Sequence, residues 1–250
     1  MNIPNNIIVN ADDFGFRTSV NRAILYCFEQ GYINSTSLMT NDFFFEEAVD
    51  MFHANPVIHN VGVHVNLSEG KPITNFNQTL YLDENGNWDN SKVNRKYAFL
   101  SNEAKSAFSR EINAQIIKAK ASKIPIIHLD SHYHTHALPC FYKLFLEAAK
   151  SHELKIRLAQ TYQENSYLKF YYRKYINGIF KANHINYSDL FENVPRFLKN
   201  PNSLNTKQIM ELMIHPDFDS SGVLFDHYDI ENHKDKEAKS IKDWISFLDN

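Results

Sequence analysis

The chain has 250 residues, of which 43% are hydrophobic and 22% charged, and its formal net charge is −3. This length fits one α/β barrel or two small domains, and so weak a charge gives no reason to expect binding to nucleic acid or to an anionic membrane. No apolar run approaches the roughly 20 residues that cross a bilayer, and residues 1–6 lack the basic and apolar segments of a signal peptide. We therefore expect a cytoplasmic protein with no membrane partner.

Apolar runs typical of strands recur along the chain, and helical patterns lie between most of them. The predicted strands cover residues 6–11, 35–39, 61–67, 125–129, 154–158 and 209–214, with a weaker candidate at 184–190. The predicted helices cover about residues 18–30, 46–54 and 101–122, followed by one that Pro139 opens and one around residues 241–248. Alternating strands and helices indicate a parallel sheet.

The fold class predicted from this pattern is α/β, a distorted (β/α) barrel with about seven parallel strands and surrounding helices. We expect residues 1–250 to form a single domain. Residues 71–96 form the largest apparent insertion, and the sequence DENGN at residues 83–87 predicts a turn, as in a hairpin or a loop over the site. Residues 162–183 are aromatic and basic with weak periodicity, and such a surface is a candidate homodimer contact.

Polar clusters stand at or just beyond the ends of four predicted strands. The first contains Asp12 and Asp13, whose side chains would point to opposite faces of an ideal strand. Both serve one site only if the chain leaves the strand there, and Gly15 permits such a turn. One carboxylate then binds a cation while the other stays free as a general base. The plainer interpretation is an Asx turn that caps the next helix.

The densest cluster is the segment 128–136, which contains His128, Asp130, His132, His134 and His136. Alternation places His128, Asp130 and His132 on one side of a strand. Imidazole is the commonest metal ligand, so the segment favours a metal site over a loop of solvated histidines.

Three further residues stand in similar positions. His64 lies within an apolar strand, where a hydrogen-bonded core histidine is the plainer interpretation. His215 follows an apolar strand and precedes a proline that keeps it extended, so it is either a general acid or an ordinary polar residue at a strand end. Arg157 is a cation on a strand-like run, which either orients a carboxylate or substrate oxygen or forms an ordinary salt bridge.

One aspartate and two histidines make a metal site with open positions for water and substrate. The metal lowers the pKa of a bound water, which becomes the nucleophile. Asp12 could accept the proton of that water, and His215 could protonate the leaving group. Such a site hydrolyses an amide or an ester.

Five stretches resemble the YdjC-like carbohydrate deacetylases, which include the chitooligosaccharide deacetylases. They are residues 10–15 (NADDFG), 35–39 (STSLM), 62–70 (GVHVNLSEG), 128–136 (HLDSHYHTH) and 211–218 (ELMIHPDF), and they appear in the order of the family. The resemblance implies a distorted barrel, one divalent metal ion and removal of acetyl groups from N-acetylated amino sugars or oligosaccharides.

Carried over by position, the resemblance makes Asp13, His64 and His132 the metal ligands, Asp12 the general base and His215 the general acid. The remaining candidates are expected behind the ligands or facing the substrate, and they are Asp130, His134, His136 and Arg157. The metal is magnesium by resemblance, although two imidazoles suit zinc, iron or cobalt better, and manganese is a further candidate.

The chain departs from the pattern of the family in three places, one of which is the aromatic and basic stretch 162–183. Asp217 stands where a small residue commonly follows the His-Pro pair, and the end after Trp244 is short. Two alternative functions stay open. A metal-dependent amidohydrolase or phosphoesterase on a similar barrel is disfavoured, because its HxH motif would lie on the first strand. A non-catalytic sugar- or metal-binding protein is disfavoured because both Asp12 and His215 are present.

Overall fold

Seven strands form one parallel sheet in the computed structural model, which describes residues 2–95, 99–163, 166–199, 201, 205, 207–228 and 239–249. The strand order is β5-β4-β3-β2-β1-β7-β6, with β1 in the middle region between β2 and β7. The strands are β1 Ile7–Phe14, β2 Ser35–Leu38, β3 Val61–Val65, β4 Ile126–Ser131, β5 Lys155–Ile156, β6 Leu190–Asn193 and β7 Met210–Ile214. The predicted α/β class with about seven parallel strands is confirmed.

The sheet curls, and its two edges are joined by backbone hydrogen bonds. Ile156 N donates to Ile185 O over 2.6 Å, and Tyr187 N donates to Ile156 O over 2.9 Å. Further along, Thr161 N donates to Phe191 O of the opposite edge strand over 3.0 Å. The curled sheet therefore behaves as a distorted barrel, and the carboxyl ends of its strands meet at one rim.

The helices pack their apolar faces on this sheet, as the 3.6-residue periodicity predicts. Gly31 ends the first helix in the left-handed conformation that glycine adopts freely (φ 70°), and the Ser101 hydroxyl caps the long fourth helix by accepting from Ala104 N. The helices are α1 Thr18–Gln30, α2 Phe45–Ala54, α3 Asn90–Val93, α4 Asn102–Ala121, α5 Tyr142–Ser151, α6 Tyr167–Ala182, α7 Val194–Lys199 and α8 Lys239–Leu248.

Three local predictions need correction. Pro139 does not open a helix: it lies in a turn, and α5 begins at Tyr142. Residues 167–182, within the stretch that showed weak periodicity, form the helix α6, which exposes Tyr167, Tyr171 and Tyr175. The weak strand candidate at residues 184–190 becomes the short strand β6, which begins only at Leu190.

The described part of the insertion, residues 71–95, contains a hairpin. Leu82 and Trp88 form an antiparallel bridge, and Asp83 N donates to Asn87 O over 2.8 Å, so the predicted turn is present. Trp88 stacks on Phe108 of α4 with the ring centroids 5.8 Å apart. The insertion thus extends the hydrophobic core, and Lys96, its predicted last residue, lies outside the described residues.

A second sheet, not predicted from the sequence, follows β7. It is an antiparallel hairpin of β8 Pro216–Phe218 and β9 Leu224–Asp226. The C-terminal helix α8 is anchored through Trp244, which is fully buried and donates its indole N–H to Tyr32 O over 2.9 Å. Over the described ranges, no helix combines the length and the apolar character that a membrane crossing demands.

Candidate active site

Asp12 and Asp13 face the same site because β1 is irregular near its end. The register with β2 pairs Ala11 with Thr36 and then Phe14 with Leu38, so β1 accommodates one extra residue. Asp13 takes a left-handed conformation, with a φ of 72°, which costs a non-glycine residue about 1–3 kcal/mol. The bulge turns both carboxylates inward, where each residue is 1% exposed. The departure from a regular strand therefore occurs at Asp13, before the predicted turn residue.

Asp13 is surrounded by imidazoles. Its Oδ1 lies 3.2 Å from His64 Nε2 and 3.0 Å from His132 Nδ1, and its Oδ2 lies 3.3 Å from His227 Nε2. Neither oxygen accepts a hydrogen bond of normal geometry from any described residue. Burial alone would raise the pKa of Asp13, but His132 and the other two imidazoles hold that pKa well below its usual range.

A buried carboxylate without hydrogen bonds is a costly arrangement that a cation would relieve. The ligand atoms of Asp13, His64 and His132 lie within 4.8 Å of one another. His64 Nδ1 is 2.8 Å from Asp130 Oδ1, and a proton on Nδ1 leaves Nε2 with the lone pair that a metal needs. These residues fit a divalent cation, with one oxygen donor and two nitrogen donors.

Asp12 lies in a different environment, because the guanidinium of Arg157 faces it. Arg157 Nη1 and Nη2 donate to the two oxygens of Asp12, each over 2.7 Å. The same guanidinium is 2.8 Å from Asp130 Oδ2, and its Nε donates to Glu211 Oε1 over 2.6 Å. Arg157 is fully buried. A second group with metal-ligand spacing consists of Asp12, His64 and Asp130. The guanidinium of Arg157 already supplies the positive charge beside that group.

The three carboxylates around Arg157 titrate differently. Burial opposes ionisation of Asp12 and of Asp130, yet Arg157 and His64 lower the pKa of both carboxyls. Burial raises the pKa of Glu211 to about 7 despite its contact with Arg157. Asp12 is thus kept ionised, and Glu211 is the carboxyl that takes up a proton most easily.

His215 lies next to Asp12. Its Nε2 is 3.8 Å from Asp12 Oδ2, and its Nδ1 is 3.5 Å from Asp226 Oδ1. The His215 backbone N–H donates to Asp226 Oδ2 over 3.0 Å, and Tyr228 stacks on the ring at 5.1 Å. Burial disfavours the protonated ring, but Asp226 and then Asp12 raise the pKa of His215 above its ordinary value. The arrangement favours a protonated imidazole beside an ionised carboxylate.

The other histidines of segment 128–136 lie apart from the Asp13 group. His128 contacts Ser37 Oγ at 3.2 Å and stacks on Tyr187 at 4.1 Å, and burial lowers its pKa to about 4. His136 Nδ1 is 2.8 Å from Ser131 Oγ, and burial lowers its pKa to about 3. His134 packs against Phe191, 5.7 Å between centroids. Of the four histidines, only His132 belongs to the Asp13 group.

Sequence reasoning missed three residues of the site: Glu211, Asp226 and His227. Glu211 is a charged residue inside the apolar strand β7, and a charge within an apolar run is also what singled out Arg157, which lies just beyond β5. Asp226 and His227 follow the apolar run VLF at residues 223–225, so a search for polar residues after short apolar runs would have found them. That run is only three residues long, and it was not recognised as a strand.

Comparison with known proteins identifies relatives along nearly the whole chain. The model of the family described as YdjC-like protein matches residues 6–247. A carbohydrate deacetylase of Brevibacillus brevis is 31% identical over 151 residues, which are 60% of this chain and 58% of that protein. A carbohydrate deacetylase of Clostridium beijerinckii is 28% identical over 247 residues, which are 97% of this chain and 94% of that protein.

One solved structure shares the fold. It comes from Enterococcus faecalis V583, and its description proposes a role in cellobiose-phosphate cleavage. The TM-score is 0.70 with 22% sequence identity, and the match covers 96% of this chain and 88% of that chain. At this identity the likeness concerns the fold alone.

Proposed function

The chain belongs to the YdjC-like protein family, and we propose that it is a metal-dependent hydrolase that removes acetyl groups from N-acetylated amino sugars or oligosaccharides. The observation that carries the proposal is the pair Asp12 and His215, 3.8 Å apart, beside the buried carboxylate of Asp13. The curated relatives named carbohydrate deacetylases support the same reaction class. A protein that only bound metal or sugar would have no use for a tuned acid–base pair.

Asp13, His64 and His132 would hold the cation. A divalent cation bound there supplies a Lewis acid that polarises the acetyl carbonyl and makes a nearby water more acidic. The donor set of one carboxylate and two imidazoles suits zinc, manganese or cobalt, and the resemblance to the family adds magnesium.

Asp12 accepts the proton of the attacking water as the oxygen adds to the acetyl carbon. Arg157 holds both oxygens of Asp12 and keeps the carboxylate ionised, so the base is in its reactive form at neutral pH. His215 then donates a proton to the amide nitrogen as the C–N bond breaks. The products are acetate and the free amino sugar, and the protons balance once Asp12 returns its proton to His215 or to solvent.

Two finer points of the proposal concern the substrate and the oligomeric state. A chitooligosaccharide-type substrate follows from the resemblance in sequence. A homodimer is supported by the exposed tyrosines of α6, of which Tyr167 is 68% and Tyr175 is 61% exposed. Size-exclusion chromatography with light scattering tests the dimer.

The central experiment is an acetate-release screen over N-acetylated mono- and oligosaccharides with added magnesium, manganese, cobalt or zinc. We expect the wild-type protein to release acetate from at least one oligosaccharide in a metal-dependent manner. His215→Ala, which should keep the metal, is expected to lose about 10²–10⁴-fold in turnover. Absence of acetate from every substrate with every metal would reject the proposed reaction.

A further inference from the structure

The β8–β9 hairpin brings a third imidazole to Asp13. Pro216 pairs with Asp226 across the hairpin, and His227, the next residue, donates its backbone N–H to His215 O over 3.0 Å. The hairpin thereby fixes His227 beside His215, with the ring centroids 5.4 Å apart. Phe16 lies on another side of the His227 ring at 6.5 Å.

The imidazole of His227 faces Oδ2 of Asp13, whereas His64 and His132 lie nearest to Oδ1. His227 Nε2 is 3.3 Å from Asp13 Oδ2, whereas the other two rings approach Oδ1 at 3.2 and 3.0 Å. His227 is not part of the group of three whose ligand atoms lie within 4.8 Å of one another. Its side chain is 12% exposed, so this contact is largely screened from water.

A carboxylate that binds a metal through one oxygen leaves its second oxygen in need of a hydrogen-bond donor, above all where water is scarce. His227 Nε2 is the ring nitrogen in position to supply that donor. Nδ1 of the same ring has no hydrogen-bond partner among the described residues, so placing the ring proton on Nε2 breaks no existing hydrogen bond.

We propose that His227 is a positioning residue of the metal centre: when a cation is bound at the Asp13 group, Nε2 of His227, which lies 3.3 Å from Asp13 Oδ2, donates a hydrogen bond to that oxygen and so orients the carboxylate. The inference rests on the metal site of the proposed function. It assigns a role to a residue outside the motifs that define the site in the sequence. Hydrogen-bond partners of metal ligands typically contribute about 10–100-fold to metal affinity.

The test measures Co²⁺ and Zn²⁺ dissociation constants of the full-length protein by calorimetry or chelator competition, without substrate. His227→Ala should weaken binding about 10–100-fold. His227→Gln places an amide N–H near the position of Nε2 and should restore most of the affinity. His227→Asn reaches only the position of Nδ1 and should not. His59→Ala, at an exposed histidine, is the matched control and should leave the affinity unchanged.

The visible spectrum of bound Co²⁺ separates a positioning residue from a ligand, because it reports coordination geometry. At saturation, His227→Ala should keep the wild-type spectrum. A changed spectrum that Gln does not restore would make His227 a direct ligand, and an unchanged affinity in His227→Ala would remove its role; either result overturns the inference.

Two comparisons keep the test decisive. If His227→Ala does not fold, the difference between the Gln and Asn variants decides, because both keep a polar side chain at the position. If the wild-type protein binds neither ion, the metal site itself fails, and this inference fails with it. Normal wild-type binding with equal affinity in all His227 variants rejects only the role of His227.

Discussion

Asp12 and Asp13 are adjacent on β1 and equally buried, yet what faces them differs. Asp12 shares the guanidinium of Arg157 with Asp130 and Glu211, so its charge is compensated by the protein itself. Asp13 has no such partner: three imidazoles approach it, and neither of its oxygens accepts a regular hydrogen bond from the described residues. The two environments therefore suit the carboxylates to different roles, and in the proposed mechanism Asp12 is the base and Asp13 is a metal ligand.

Removing the internal cation should have the largest effect. Arg157→Met leaves three buried carboxylates without their common partner. Breaking a buried ion pair from one side costs about 3–5 kcal/mol, so the free energy of unfolding should fall by that amount. Urea denaturation measures it, with the exposed Arg22→Met as the control. A fall no larger than in the control would show that Arg157 does not neutralise the Asp12 cluster.

A second substitution tests whether the carboxylate of Asp226 controls the protonation state of His215. In the protein Asp226 raises the pKa of His215, so the acid form persists to higher pH than in a free histidine. Asp226→Asn lowers that pKa, and the fraction of protonated His215 at a given alkaline pH falls. The alkaline limb of the pH profile of kcat/KM should therefore move to lower pH.

The exposed Asp243→Asn is the matched control for this shift. The profile of the control should coincide with that of the wild type. A limb that stays in place in Asp226→Asn would assign the alkaline ionisation to another group.

The smallest effect is expected outside both clusters, at the residue that departs from the pattern of the family. Asp217 Oδ2 is 2.5 Å from Arg17 Nη2, and the Arg17 side chain is 40% exposed. The Asp217 side chain is 5% exposed and also accepts a hydrogen bond from Phe218 N, but the arginine left behind in Asp217→Ala is open to solvent. We expect Asp217→Ala to lower the free energy of unfolding by about 1–2 kcal/mol and to leave kcat unchanged. A large loss of kcat would place Asp217 in the reaction.

Most of the fold could be predicted, because long periodic segments carry it. The helix predicted at about residues 101–122 is α4 Asn102–Ala121, and the strands that precede or contain Asp13, His64 and His132 were placed correctly along the chain. Prediction failed at α6, whose 16 residues show weak periodicity, and at β8 and β9, which have three residues each. So short a strand shows too few alternations to be recognised.

The site was only partly predictable for two physical reasons. The left-handed Asp13 is a strained conformation that the surrounding structure holds in place, and local sequence does not encode it. The partners of Arg157 are 145 residues away at Asp12 and 54 residues away at Glu211, so nothing near Arg157 in the sequence indicates them. The residue types that could bind a metal were recognisable in the sequence, but the contacts by which Arg157 neutralises its carboxylate partners were not.

The division of roles between the two aspartates is tested most directly by the metal affinity of Asp12→Asn and Asp13→Asn, measured side by side. Asparagine tolerates the left-handed conformation of residue 13, so both variants should fold. We predict that Asp13→Asn loses high-affinity binding of Zn²⁺ or Co²⁺, whereas Asp12→Asn binds the ion like the wild type and releases no acetate. Retention of the ion by Asp13→Asn together with its loss from Asp12→Asn would contradict the account.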